Sequence, residues 1–298
     1  MRKFATLETE MVNPKTTDID SLGTYEILKV INNEDKKITK AVEQVLDKVA
    51  IVVEHCVNAI KNGGRVIYAG AGTSGRIGFL DAAEVVPTFG VPEGIFTALI
   101  AGGDEALKRS VEAVEDDVLL GESDAKKIGV NSKDFVIGIT ASGRTPYVRG
   151  VFNFAKSQGS STALICNVSN PELQDVSDIV ISILTGPEVI AGSTRMKAGT
   201  SQKMVLNMIS TATMIKLGKV YKNYMVDVLV LNEKLKERAK RIIMESTGVS
   251  YETASQYLEK AGNKPKLAIL MILTGKDFDT CQKLLEEHWS VNEALKHI

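Results

Sequence analysis

Five short apolar runs, at 65–69, 95–100, 135–140, 162–166 and 179–183, alternate with amphipathic patterns and constrain this chain more than any other feature. Each run is nearly continuous in apolar residues, partly β-branched, and bounded by turn signals, which is how strands buried on both faces read. Between them, 3.6-residue periodicity predicts helices at about 76–88, 104–120 and 145–158, with a shorter segment near 170–176. Alternation of this kind specifies an α/β fold: a three-layer α-β-α sandwich around a five-stranded parallel sheet. Such sheets bind ligands at the carboxyl ends of their strands. The conspicuous loops, 70–75, 101–104 and 141–145, all fall on that edge.

Residues 1 to about 24 read as a polar, irregular arm. A long amphipathic helix is predicted over about 33–61, with Ile38, Val42, Val45, Val49, Val52 and Cys56 forming a narrow seam. That seam suits packing on its own domain or against a partner chain, and both readings stay open. After residue 183 a loop leads into a helix predicted over 198–219. From 233 onward short helices are expected near 233–246, 250–261, 264–274 and 277–288, with Gly248, Gly262 and Gly275 as stop signals. The expected division is 1–62 for arm and long helix, 63–232 for the sheet domain, and 233–298 for a small helical bundle.

Length and composition bound the function. With 298 residues, 44% of them hydrophobic, the chain can bury one large core plus a small appendage. A net charge of −1 supplies no basic field for nucleic acid. No apolar run approaches membrane-spanning length and no signal core opens the chain, so a soluble cytoplasmic protein without a membrane partner is expected. Cys56, Cys166 and Cys281 are widely separated in apolar surroundings, which suits reduced thiols. His55, His288 and His297 have no metal-ligand spacing, and no metal or other cofactor is expected.

The loop at 70–75 joins a strand to a helix start, where unpaired N–H groups and the positive end of the dipole suit a phosphate. Gly70, Gly72 and Gly75 admit close approach, and Thr73 and Ser74 add hydroxyls. The Gly70-x-Gly72-x-x-Gly75 spacing also fits a dinucleotide fingerprint, but Glu93, in the region of the ribose anchor, precedes the second strand instead of ending it. A second loop, Thr140-Ala-Ser-Gly-Arg-Thr145, follows the third strand, and Pro146 suits the next helix start. Ser142, Arg144 and Thr145 there can grip an anion. Two Ser/Thr-Gly loops on one sheet edge point to a sugar phosphate.

Carboxylates supply the remaining candidates. Glu84 follows Ile77 and Leu80 at helical spacing, which places it on their apolar face and suggests chemistry in place of solvation. Glu115 borders the stripe of Leu107, Val111, Val114 and Val118; from spacing alone it reads as solvated, and Glu112, Asp116 and Asp117 compete with it. Glu188 is either a third site carboxylate or a loop anchor.

The loops with Thr73-Ser-Gly75 and Ala141-Ser-Gly143 resemble the sugar isomerase (SIS) domain. Three stretches are similar to the N-acetylmuramic acid 6-phosphate etherase family: Ala69 to Glu84; Ile100-Ala-Gly-Gly-Asp104 through Val114-Glu-Asp116; and Gly186-Pro-Glu-Val-Ile-Ala-Gly-Ser-Thr-Arg-Met-Lys197. The resemblance runs over nearly the whole chain. Animal glucokinase regulatory protein shares the third stretch but is built from two such domains, where this chain has room for one. The resemblance implies cleavage of the lactyl ether of N-acetylmuramic acid 6-phosphate, a homodimer with active sites near the subunit interface, and Glu84 and Glu115 as catalytic carboxylates. The candidate substrate-binding set is Thr73, Ser74, Gly75, Arg76, Ser142, Gly143, Arg144, Thr145, Glu188, Ser193 and Lys197.

The implied chemistry needs a carboxylate to take the proton from carbon 2 of the opened sugar and a protonated carboxyl to assist departure of the lactyl oxygen from carbon 3. Placed on an apolar face, Glu84 is expected to be the donor and Glu115 the base. The alternatives on the same fold are an aldose–ketose isomerase, which would release no lactate, and a sugar-phosphate sensor without turnover.

Overall fold

The computed structural model describes residues 7–228, 230 and 232–298. Its elements, in chain order, are α1 (Thr24–Glu43), α2 (Leu46–Lys61), β1 (Val66–Gly70), α3 (Gly72–Phe89), β2 (Phe96–Ile100), α4 (Gly103–Lys108), α5 (Val118–Lys127), β3 (Phe135–Ile139), α6 (Pro146–Ser157), β4 (Ser161–Cys166), β5 (Ile179–Ser182) and α7 (Lys197–Lys216). A two-stranded hairpin, β6 (Val220–Tyr221) with β7 (Tyr224–Met225), then precedes α8 (Glu233–Thr247), α9 (Tyr251–Lys260), α10 (Pro265–Thr274), α11 (Phe278–His288) and α12 (Val291–Lys296). The chain divides into two compact units, residues 7–83 with 93–210, and residues 84–92 with 211–298.

The first unit holds the five-stranded parallel sheet in the order β2-β1-β3-β4-β5. Its predicted strands agree with those observed to within one residue at every end. Alternate residues of each strand point to opposite faces. On one face Ile67, Ala69, Val136 and Leu164 form a core with Tyr147, Val148, Val151 and Phe152 of α6 and Ala125 of α5. On the other, the His55 ring of α2 stacks on Phe135 with centroids 5.1 Å apart, and α3 lies so close that a Cβ on Gly78 would come within 3.1 Å of both Tyr68 and Ile139. Three layers result.

Two predicted helices are interrupted. The helix expected over 33–61 is α1 and α2, because Val45 leaves helical geometry at φ −120° and ψ 8°. The break does not release the seam: Ile38, Val42, Val45, Val49, Val52 and Cys56 are all buried in the chain's own core, which leaves none of it for a partner. The helix expected over 104–120 stops when Arg109 turns extended, and Ala113 takes a left-handed φ of 65° before a single 3-10 turn, Val114–Asp116.

In the second unit, Val226, Ala239, Ile243, Leu258, Ile269, Leu270 and Cys281 make a separate core. Side-chain caps start α8, α9, α11 and α12: Asn232, Ser250, Asp277 and Ser290 each accept from the N–H three residues on. Gly248, Gly262 and Gly275 adopt positive φ at the helix ends, as their stop-signal role requires. The hairpin and α12 carry no clear sequence signal, being only two residues per strand and one short helix.

Candidate active site

Strand order places a switch point between β1 and β3, whose neighbours diverge toward opposite edges of the sheet, and ligands of doubly wound sheets bind at such points. Gly70 and Ile139, the last residues of the two strands, are register partners. The loops singled out in the sequence, 70–75 and 140–145, therefore leave the sheet side by side.

The first loop is compact. A Cβ on Gly70 would lie 2.8 Å from the Gly75 N, and one on Gly75 would lie 2.8 Å from the Gly70 O, so neither position admits a side chain. The chain turns straight into α3, whose first N–H groups have no partner one turn earlier. Thr73 is half-buried and Ser74 buried. The Ser74 hydroxyl donates to Gln202 Oε1 of α7 at 2.9 Å. A guanidinium N–H of Arg76 donates to the Arg109 O at 3.0 Å, tying the start of α3 to the segment that leads to Glu115.

In the second loop the hydroxyls of Thr140 and Thr145 meet at 2.7 Å, with Ser142 3.4 Å from Thr140. Gly143 adopts φ +69°, and a Cβ there would stand 2.4 Å from Pro171 Cβ. The Gly143 O accepts from Leu173 N at 3.0 Å. The Arg144 guanidinium faces Glu172 at 3.6 Å. Three hydroxyls and a cation thus gather beside the helix start.

The third stretch is built into the interior. Both oxygens of Glu188, which is 1% exposed, accept N–H groups at the start of α7: Lys197 N at 3.0 Å and Ala198 N at 2.9 Å. Burial pushes its carboxyl up, opposed by those two donors and by the Lys197 charge. Lys197 is equally buried, and its ammonium donates to Glu34 Oε2 of α1 at 2.8 Å. Burial of Glu34 acts to raise its pKa, but hydrogen bonds from Lys197 and Lys37, with the Lys197 charge, prevail and hold it at about 2. The arm closes over the same place, with Thr16 Oγ1 donating to the Val189 O at 2.8 Å and Asn13 Nδ2 to the Pro187 O at 3.4 Å. Polar atoms of Glu188 and Lys197 are engaged within the protein. Ser193 is half-buried in the loop between them.

The inward face of α3 is displaced from the predicted one. Ala82, Val85 and Phe89 are buried, while Phe79 is 40% and Leu80 47% exposed, and Glu84 is exposed beside them. The acid on the buried face is Asp81, whose oxygens accept from the Tyr68 hydroxyl at 3.0 Å and the Ser210 hydroxyl at 3.1 Å. Burial raises its pKa against those hydrogen bonds. Glu115 is exposed on the 3-10 turn.

Glu34, Asp81, Asn167 and Gln202 escaped the sequence reading. A signal existed for Glu34, which stands four residues before Ile38 and so heads the buried seam. Asp81 likewise precedes Val85 by four.

Known proteins are similar to this chain over the region that holds these loops. Residues 48–156 match the model of the glucokinase regulatory protein N-terminal SIS domain, and residues 121–212 that of the SIS domain. A Petrotoga mobilis protein named N-acetylmuramic acid 6-phosphate etherase is 59% identical over 290 residues, covering 97% of each chain. One of the same name from Pseudothermotoga lettingae is 53% identical over 293 residues, covering 98% of each. Among solved structures, a phosphoheptose isomerase from Francisella tularensis is similar at 17% identity, covering 64% of this chain and 98% of that one with a TM-score of 0.49.

Proposed function

The chain belongs to the N-acetylmuramic acid 6-phosphate etherase family, and from that premise we propose how its residues divide the work. The reaction is cleavage of the D-lactyl ether of N-acetylmuramic acid 6-phosphate to N-acetylglucosamine 6-phosphate and D-lactate. The observation that carries the site assignment is the pairing of β1 with β3, which sets two hydroxyl-bearing loops next to one another at the switch point.

In this reading the phosphate sits at the start of α3, faced by residues 73–76 and by Ser142, Gly143, Arg144 and Thr145. Opening the sugar exposes an aldehyde that acidifies the proton on carbon 2. Glu115 takes that proton, the carbon 3–oxygen bond breaks, and Glu84 donates a proton to the departing lactyl oxygen. Water then adds its oxygen to carbon 3 of the unsaturated aldehyde while carbon 2 regains a proton, so the sum is ether hydrolysis. Glu188, Ser193 and Lys197 hold the loop that borders the site.

A homodimer completes the proposal. Glu84 stands about ten residues beyond Ser74, which at 1.5 Å per residue is about 15 Å along α3. A six-carbon sugar held by its phosphate at the helix start does not span that distance. A Glu84 from a second copy would serve instead, and covering the exposed Phe79 and Leu80 would shield it from water. The cellular role is then recovery of amino sugar from cell-wall muramic acid. Lactate release from N-acetylmuramic acid 6-phosphate tests the activity: the wild-type chain is expected to release one D-lactate per amino sugar formed, and interconversion of aldose and ketose without lactate would refute it.

A further inference from the structure

Between the two loops lies a chain of buried side chains with a fixed hydrogen-bond direction. Gln202 and Ser201 are 0% exposed and Asn167 is 1% exposed. Ser201 Oγ donates to the Ala198 O at 2.7 Å. Asn167 Nδ2 donates to the Ile183 O and to Ser201 Oγ, both at 2.9 Å. Gln202 Nε2 donates to Asn167 Oδ1 at 2.9 Å, and Ser74 Oγ to Gln202 Oε1 at 2.9 Å.

Each step determines the next. A backbone carbonyl only accepts, so Ile183 requires the nitrogen of Asn167, and both of its amide hydrogens are then engaged. The Asn167 oxygen must therefore face Gln202, which presents its own nitrogen and leaves its oxygen for Ser74. Ser74 has a single hydroxyl proton, and that proton points inward. The backbone of Asn167 meanwhile donates to the Ala141 O at 3.0 Å, in the second loop.

We propose that Gln202 and Asn167 are positioning residues that set the spacing of the two substrate loops, and that Ser74 anchors the first loop without donating to the phosphate. Thr73 and the first N–H groups of α3 are then the donors that this loop offers. The choice of ligand rests on the etherase reading; the direction of the relay does not.

Two measurements test the proposal. In the wild-type protein, the side-chain amide protons of Gln202 and Asn167 are followed by NMR with and without saturating N-acetylglucosamine 6-phosphate. They are expected to stay protected when the ligand binds. Faster exchange by about tenfold on binding, as Ser74 turns to the phosphate, would overturn the proposal, and so would a failure of this ligand to bind. In a kinetic cycle, Gln202→Met is expected to raise KM about tenfold with kcat within about threefold, since it loosens a binding loop and touches no reacting atom. The losses in kcat/KM from Gln202→Met and Ser74→Ala should combine in the double variant to about a tenth of their product, because the second substitution removes a partner already orphaned. A full product of losses, or a fall in kcat at constant KM, refutes it. Should a variant fail to fold, the wild-type exchange measurement decides alone. Absence of lactate release by the wild type would remove the etherase reading and leave that measurement intact.

Discussion

Replacing Glu34 by alanine should destabilise the first unit severely, although Glu34 lies far in sequence from any loop of the site. Its carboxylate is 3% exposed and pairs with an ammonium that is 1% exposed. Removing it leaves Lys197 charged and buried, a change that costs about 3–5 kcal/mol. Linkage gives a similar figure. Folding lowers the Glu34 pKa from 4.5 to about 2, which at 1.36 kcal/mol per unit corresponds to roughly 3 kcal/mol. Because the folded value is the depressed one, this stability is fully present above pH 4.5 and is lost as pH falls toward 2. Thermal melts of wild type and Glu34→Ala should therefore differ by on the order of 10 °C at pH 7, and the gap should narrow between pH 4.5 and 3. Glu34→Leu combined with Lys197→Met should recover most of the loss, since an apolar pair carries no desolvation penalty. A gap below about 2 °C at pH 7, or one that does not change with pH, would refute the reasoning.

Alanine at either Glu84 or Glu115 should reduce lactate release at least about 10³-fold. If Glu84 is the donor, Glu84→Ala still exchanges the carbon 2 proton with deuterated water, and Glu115→Ala does not; the opposite pattern exchanges their roles. Mixed dimers of the two variants should regain activity, which requires that one site draw on both chains. Asp81→Ala orphans two hydroxyls and should cost about 1–3 kcal/mol in denaturant melts. Since burial raises the Asp81 pKa above its ordinary 3.8, wild-type stability should fall relative to Asp81→Asn as pH rises through that raised value. At Gly143, alanine brings a Cβ to 2.4 Å from Pro171 Cβ at φ +69°, and calorimetry should find sugar-phosphate affinity weakened at least about tenfold.

The sheet was legible because apolar strands buried on both faces carry a signal that turns and helices do not blur. The two loops were legible because glycine and hydroxyl residues are concentrated where strands end. The face of α3 was not. Phe79 and Leu80 are apolar, and hydropathy reads them as core, yet they are exposed on the single chain. Asp81 faces inward because Tyr68 and Ser210 meet it, and those partners are remote in sequence. The same holds for Gln202, whose oxygen finds Ser74 across the fold. Glu115 was indistinct for another reason: the helix that would have given it a face ends at Lys108. Periodicity has no meaning beyond that point.

The carboxylate of Glu188 closes the start of α7 with both of its oxygens. A carboxyl of the chain itself thus already occupies the start of α7, while α3, α4 and α6 also begin at this edge of the sheet. On the proposed reading, a sugar phosphate is turned away from the start of α7 and toward that of α3. The consequence is directional. Were the start of α7 open as well, a phosphorylated sugar held as proposed could lie across the edge in the opposite sense and present the wrong carbons to the carboxylates. With α7 closed by Glu188, the proposed site distinguishes head from tail before any hydroxyl of the sugar is read.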